Sequence, residues 1–230
     1  MKYVISDLHG RYDLYRKMLE KINLTSRDTL YILGDFVDRG EEGIRIIFDA
    51  FERDNVIPFM GNHDFTVLSI LSQIQQRFDV DNFQKMKELI EVWMFNGGQT
   101  TYEEFKGLPA EDRRKLIWIM DHFRYFAEVR AGGNQFVLCH AGLQNYHPEK
   151  PLSSYSVDEL LFTREDYSKP KFGIPGKYLV TGHTPTALIE GGREGRIYKN
   201  HDHIAIDCGA VFDYGLGCLR LDDMEEFYVK

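Results

Sequence analysis

This chain of 230 residues lacks most of the features that would place it outside the ordinary globular enzymes. It has only 3 cysteines, an odd number, and no CxxC pair. That excludes a disulfide framework and points to a reducing, cytoplasmic compartment. No apolar run approaches the ~20 residues of a membrane span. The opening Lys2-Tyr-Val-Ile5 is too short for a signal peptide. An excess of positive charge is missing too: 28 Lys and Arg face 36 Asp and Glu, a net charge of -8. A general nucleic-acid binder, which must neutralise phosphates, is thereby excluded, and an anionic substrate would need a local positive island. With 7 prolines, 20 glycines and no low-complexity tract, long disorder is not expected. What remains is a chain 43% hydrophobic, ample for a core and read as one domain over residues 1–230.

Periodicity gives the architecture. Tyr3–Ser6, Thr29–Leu33 and Val56–Met60 read as strands, with amphipathic helices over Asp13–Ile22 and from Ile44 to Phe51 between them. This β-α-β-α-β order favours a parallel sheet. Phe65–Phe78, Asn82–Phe95 and Ala110–Phe123 read as helices, the second stopped by Asn96-Gly97-Gly98. This block, 65–123, is either a helical cap or a wall that shapes the substrate site. The last half is β-rich. Hairpins turn at Gly132-Gly133-Asn134 and Asp222-Asp223, and further strands are expected at Tyr178–Thr181, Arg196–Lys199 and Ile204–Ile206. The fold class is α/β: two sheets packed together with helices outside.

Polar clusters follow the strands. They are Asp7-Leu-His9-Gly10, Gly34-Asp35-Phe-Val-Asp38-Arg39-Gly40, Gly61-Asn62-His63-Asp64, His140-Ala-Gly142 and Gly182-His183-Thr184. Carboxyl ends of parallel strands share one edge, so the five clusters are expected to converge. Each alone is weak, since a lone histidine is more often a structural hydrogen-bonder than a ligand. Together they offer Asp7, His9, Asp35, Asn62, His140 and His183, a mixed oxygen and imidazole set suited to Mn, Fe or Zn. Six ligands would crowd one ion. Two ions sharing a carboxylate would use all six and leave room for water.

DLHG at 7–10, GDFVDRG at 34–40, GNHD at 61–64, HAG at 140–142 and GHTP at 182–185 resemble the phosphoprotein phosphatase group of calcineurin-like metallophosphoesterases. The likeness runs from the first strand to Ile206-Asp-Cys-Gly-Ala210, and the short length is similar to that of the bacterial and phage serine/threonine phosphatases. The resemblance implies an αββα sandwich of two mixed sheets flanked by helices. It implies one divalent ion on Asp7, His9 and Asp35, and a second on Asp35, Asn62, His140 and His183, with manganese first and iron or zinc as alternatives. His63 would be the general acid oriented by Asp38, and Arg39 would hold phosphate. Arg164, after Leu160-Leu-Phe-Thr, matches the position of a second phosphate arginine, although Phe162 stands where the group has tryptophan. The implied reaction is direct attack of metal-activated water on a phosphomonoester. The expected substrate is a phosphoserine or phosphothreonine protein or a small phosphate ester. Asp64 departs from the GNHE usual in protein phosphatases. GNHD is familiar in the related dinucleoside tetraphosphatases, so hydrolysis of a dinucleoside polyphosphate is the alternative.

Other residues invite plainer readings. His201-Asp202-His203 is expected at the surface in a hairpin turn, and Arg193 and Arg196 as loop charges. Trp93, Phe95, Trp118 and Phe123 are expected in the core.

Overall fold

The β-branched and aromatic runs sort themselves onto two faces because strand side chains alternate. In the computed structural model, which describes residues 1–75 and 83–230, strand β1 (Lys2–Ile5) turns Val4 one way and Tyr3 and Ile5 the other. Val4 packs with Tyr31, Leu33, Phe136, Leu138, Val180, Ile204 and Leu219 in an apolar layer between two sheets. Tyr3 and Ile5 instead meet helical residues such as Leu14, Met18 and Ile47. Strands buried on both faces explain why these runs read as continuously apolar.

The first sheet joins β1 to β2 (Thr29–Ile32) and β3 (Val56–Pro58) in parallel and to β9 (Leu216–Arg220) in antiparallel, and β10 (Glu226–Val229) pairs antiparallel with β9, in the order β10-β9-β1-β2-β3. The second has the order β4-β5-β6-β8-β7. Here β5 (Asn134–Cys139), β6 (Lys177–Thr181) and β8 (His203–Ala205) run parallel, flanked by antiparallel β4 (Phe126–Ala131) and β7 (Tyr198–Asn200). Two mixed sheets flanked by helices are what the sequence led us to expect.

Helices α1 (Tyr12–Lys21) and α2 (Gly43–Phe51) make the first two crossovers, and α3 (Asn62–Gln75) follows β3. Helices α4 (Phe83–Trp93) and α6 (Ala110–Asp121) match the expected block, although the facing ends of its first two segments, at 76–82, lie outside the described residues. Two elements differ from expectation. Asn96-Gly97-Gly98 does break the helical path, at Gly97, but a further helix that the sequence did not lead us to expect, α5 (Gln99–Gly107), begins directly beyond it. Gly97 takes φ 98°, open to glycine, and its carbonyl accepts the Arg39 N–H at 2.9 Å. A short helix α7 (Val157–Leu161) is held by a reciprocal cap between Ser156 and Glu159.

Candidate active site

The turns after β1, β2, β3, β5 and β6 meet at one edge. The chain must reverse sharply there, and it does so with non-glycine residues in the left-handed region: Asp7, His9, Asp35, Asp38, Arg39 and His183 have φ between 42° and 71°. Such conformations cost on the order of 1–3 kcal/mol each, so the surrounding structure must over-determine them. Part of that support is visible. Asp64 is fully buried, and its carboxylate accepts the backbone N–H groups of Asp35 (2.7 Å), Phe36 (3.0 Å) and Gly61 (3.0 Å). Asp64 therefore stitches the second and third turns together.

Asp35 sits at the centre. One carboxylate oxygen lies 3.4 Å from His9 Nε2 and the other 3.5 Å from His140 Nε2. The backbone N–H of His63, in the first turn of α3, donates to it at 3.1 Å. Asn62 Oδ1 lies 2.9 Å from both His140 Nε2 and His183 Nδ1. The Asp7 carboxylate accepts the His183 N–H at 3.0 Å. The polar atoms of Asp7, Asp35 and His140 fall within 4.8 Å of one another, as do those of His9, Asp35 and His63. All six expected ligands are thus brought together.

Protonation follows from the outer contacts. His9 donates Nδ1–H to the Val37 carbonyl at 2.8 Å, and His140 donates Nδ1–H to the Leu33 carbonyl at 2.7 Å. Each then turns the lone pair of Nε2 inward. Burial lowers the pKa of His9 and of His183 to about 3, and that of His140 in the same direction, so all three are neutral imidazoles. Burial alone would raise the Asp35 carboxyl, but attraction to protons on the surrounding histidines outweighs it and holds it below its usual range. Burial, Asp207 and Asp35 push Asp7 upward. The donor set fits a divalent cation on these grounds. The inward lone pair of His140 Nε2 faces the acceptor oxygen of Asn62, and the crowded, buried Asp7 carboxylate needs a cation to stay ionised.

A second constellation adjoins the first. His63 Nδ1 donates to Asp38 Oδ2 at 2.7 Å. Asp38 Oδ1 accepts from Trp93 Nε1 (2.9 Å) and Thr101 Oγ1 (2.7 Å). Burial works against a charged His63, but the Asp35 carboxylate and the Asp38 hydrogen bond prevail and raise its pKa. The Arg39 guanidinium donates to His9 Nε2 at 2.7 Å and to His63 Nε2 at 2.9 Å. Arg164 reaches Thr184 Oγ1 at 3.3 Å and lines the same cleft as Arg39. This cleft, of about 610 Å³, has Asp35, Asn62, His63 and His183 on its polar side and Phe65, Leu89, Val92, Phe162 and Leu188 among its apolar lining.

The sequence reading missed Trp93 and Thr101 as partners of Asp38. It also passed over Asp207, which follows β8 by the same strand-end rule and is buried beside Asp7. Three plainer readings need correction. Phe95 is 91% exposed and Trp118 is exposed as well, whereas Trp93 and Phe123 are buried. Asp202 and His203 are buried rather than at the surface. The Asp202 carboxylate accepts the N–H groups of Lys171, Phe172 and Gly173 at 2.6–2.8 Å, which fixes a loop instead of a metal.

Turns that follow three parallel strands of one sheet and two of the other, acidic and imidazole side chains at their ends and an arginine-lined cleft define a metal-dependent phosphoesterase site. The family model for calcineurin-like phosphoesterases matches residues 3–213, and the chain belongs to that family. A symmetrical bis(5'-nucleosyl)-tetraphosphatase from Xanthomonas axonopodis pv. citri (strain 306) is 39% identical, over 97% of this chain and 82% of its own. Another of that name, from Acidovorax ebreus (strain TPSY), is 28% identical over 71% of this chain and 52% of its own, so the chain spans about half the length of such relatives. Among solved structures, one provisionally named a diadenosine tetraphosphatase shares the fold at TM-score 0.68, with 16% identity, 99% of this chain and 92% of that one. No described helix is long and apolar enough to cross a membrane.

Proposed function

We propose that residues 1–230 act as one unit, a two-metal hydrolase of dinucleoside polyphosphates, diadenosine tetraphosphate being the type substrate. The observation that carries this choice over the protein phosphatase reading is the 39% identity to a symmetrical bis(5'-nucleosyl)-tetraphosphatase across 97% of the chain. A cleft of about 610 Å³, polar on one side and apolar on others, also suits a nucleotide. Asp7, His9 and Asp35 would hold one divalent ion, and Asp35, Asn62, His140 and His183 the other, with manganese the first metal to try. When bound, the ions would polarise the phosphoryl oxygens and lower the pKa of a water between them. Arg39 and Arg164 bind the polyphosphate oxygens as planar cations. His63, its Nε2 released as Arg39 turns to the polyphosphate, would carry a proton to the leaving oxygen, and Asp38 fixes its ring through Nδ1.

The His63–Asp38 pair keeps a monoesterase reading in play. A seryl alkoxide leaves badly and needs a proton, whereas a nucleoside diphosphate has a terminal phosphate pKa near 6 and leaves as an anion. This difference supplies the test. Manganese-reconstituted enzyme is assayed on diadenosine tetraphosphate and on a phosphoserine peptide, as wild type and as His63→Asn. We expect higher kcat/KM on the dinucleotide. His63→Asn should lose about 10²-fold or more on the peptide and much less on the dinucleotide. A wild type that prefers the peptide overturns the proposal.

A further inference from the structure

Exposed apolar side chains on the described surface are not scattered evenly. Four of the large ones, Val92, Phe162, Leu188 and Phe212, line the one cleft that holds Asp35, Asn62, His63, Arg39 and Arg164. They come from four separate places: α4, the residue after α7, the 3-10 turn Thr186–Leu188 and the 3-10 turn Ala210–Phe212. Phe162 is 44% exposed, Phe212 51% and Leu188 73%. Water contact at these positions is costly, and an apolar patch gathered from distant segments marks a ligand surface.

We infer that this apolar rim is a nucleobase subsite, with Phe162 and Phe212 as its stacking residues. The inference rests on the dinucleotide reading and names the part of the substrate that the metal and arginine groups leave unrecognised. Three observations argue for a planar base joined to phosphate. First, the rim and the arginines belong to a single cleft, so its ligand combines an anionic chain with an apolar body. Second, Phe162 lies two residues before Arg164 and lines the same cleft, so one short segment presents both a ring and a phosphate cation. Third, the Phe162 ring is braced edge-to-face by Phe65, with centroids 6.4 Å apart and planes at 82°. A ring already packed against a neighbour loses less freedom when a base packs on it.

The test separates this subsite from the activity. Binding of α,β-methylene-ADP and of methylenediphosphonate, the same diphosphate without a nucleoside, is measured by titration calorimetry on manganese-loaded enzyme. Neither ligand can be hydrolysed at its bridging carbon. Wild type should bind the nucleotide about tenfold more tightly or better, the range of base–aromatic stacking. The Phe162→Ala/Phe212→Ala double variant should bring the ratio close to one while methylenediphosphonate affinity stays within about twofold. Phe162→Trp should keep the preference. A ratio near one in wild type overturns the inference, and so does equal weakening of both ligands in the double variant. So does a KM rise for a phosphoserine peptide with the nucleotide ratio intact, which would assign the rim to a polypeptide. If wild type fails to cleave diadenosine tetraphosphate while the binding preference holds, the activity reading falls and the base subsite stands.

Discussion

The first sheet delivers Asp7, His9, Asp35 and Asn62 to the shared edge, and among the proposed ligands the second sheet delivers only His140 and His183. The two contributions differ in charge. Both proposed carboxylate ligands come from the first sheet, while the second supplies imidazoles that burial keeps neutral. Asn62 is the seam, since its side-chain oxygen lies 2.9 Å from both second-sheet histidines. The contrast teaches where the electrostatic work is done. On the proposed assignment, first-sheet anions would attract the cations, and second-sheet nitrogens would complete the coordination without changing the charge.

The sharpest way to break this contrast is to remove one group from each side. Asp35→Asn should release metal and cut kcat/KM by more than the roughly 10–100-fold typical of losing an outer partner. His183→Gln should cost at least tenfold less and retain part of the metal. Elemental analysis beside kinetics reads both, and equal losses from the two variants would erase the distinction between the sheets.

A smaller effect tests the helical side against the sheet edge. Thr101 and Trp93 touch neither proposed metal group, yet both donate to Asp38. Thr101→Val removes a hydrogen bond to the Asp38 carboxylate, worth about 1.5–3 kcal/mol, and also leaves unpaired the Asp38 N–H that Thr101 Oγ1 accepts at 2.8 Å. We expect about a tenfold or greater fall in kcat on a phosphoserine peptide, a weaker fall on diadenosine tetraphosphate and unchanged metal content. Thr101→Ser should restore the rate. Metal loss in Thr101→Val would mean that α5 supports the whole site rather than the His63–Asp38 pair.

Why the sequence revealed one side better than the other follows from how the residues are joined. Asp7, Asp35 and Asn62 each come just after a parallel strand, so a local pattern and one rule about strand ends place them. Trp93 and Thr101 reach Asp38 across 55 and 63 residues, from either side of the break at Gly97, and the helix stop read in the sequence does not reveal the helix that follows it. Exposure is likewise non-local: Phe95 and Trp93 are two residues apart, yet only Trp93 is covered. Asp64 was legible as a departure from a motif, but its bonds to three backbone N–H groups were not.

The smallest expected effect lies away from the site. Asp49 on α2 accepts hydrogen bonds from Tyr12 and Tyr15 of α1 at 3.1 Å and pairs with Arg53. Burial would raise its pKa, but the Arg53 hydrogen bond and charge prevail and lower it. A depressed carboxyl contributes stability in full above its unfolded pKa of about 3.9, and loses it as pH falls through the folded value. Asp49→Asn should therefore be less stable than wild type by about 1 kcal/mol at pH 6, a gap that narrows below about pH 4. Urea unfolding at both pH values reads it, and a gap that widens in acid would reverse the assigned sign. Because no catalytic group is involved, activity at pH 6 should be unchanged.

The strand order also constrains how the chain acquires this site during synthesis. Strand β1, made first, lies between β2 and β9, so one of its hydrogen-bonding edges waits for residues 216–220. Until they emerge, an apolar strand that carries Asp7 and His9 at its end stays open on one side to any competing strand. A ribosome-bound chain that ends before β9 should therefore be prone to self-association and dependent on chaperones, even though every proposed ligand has already been translated.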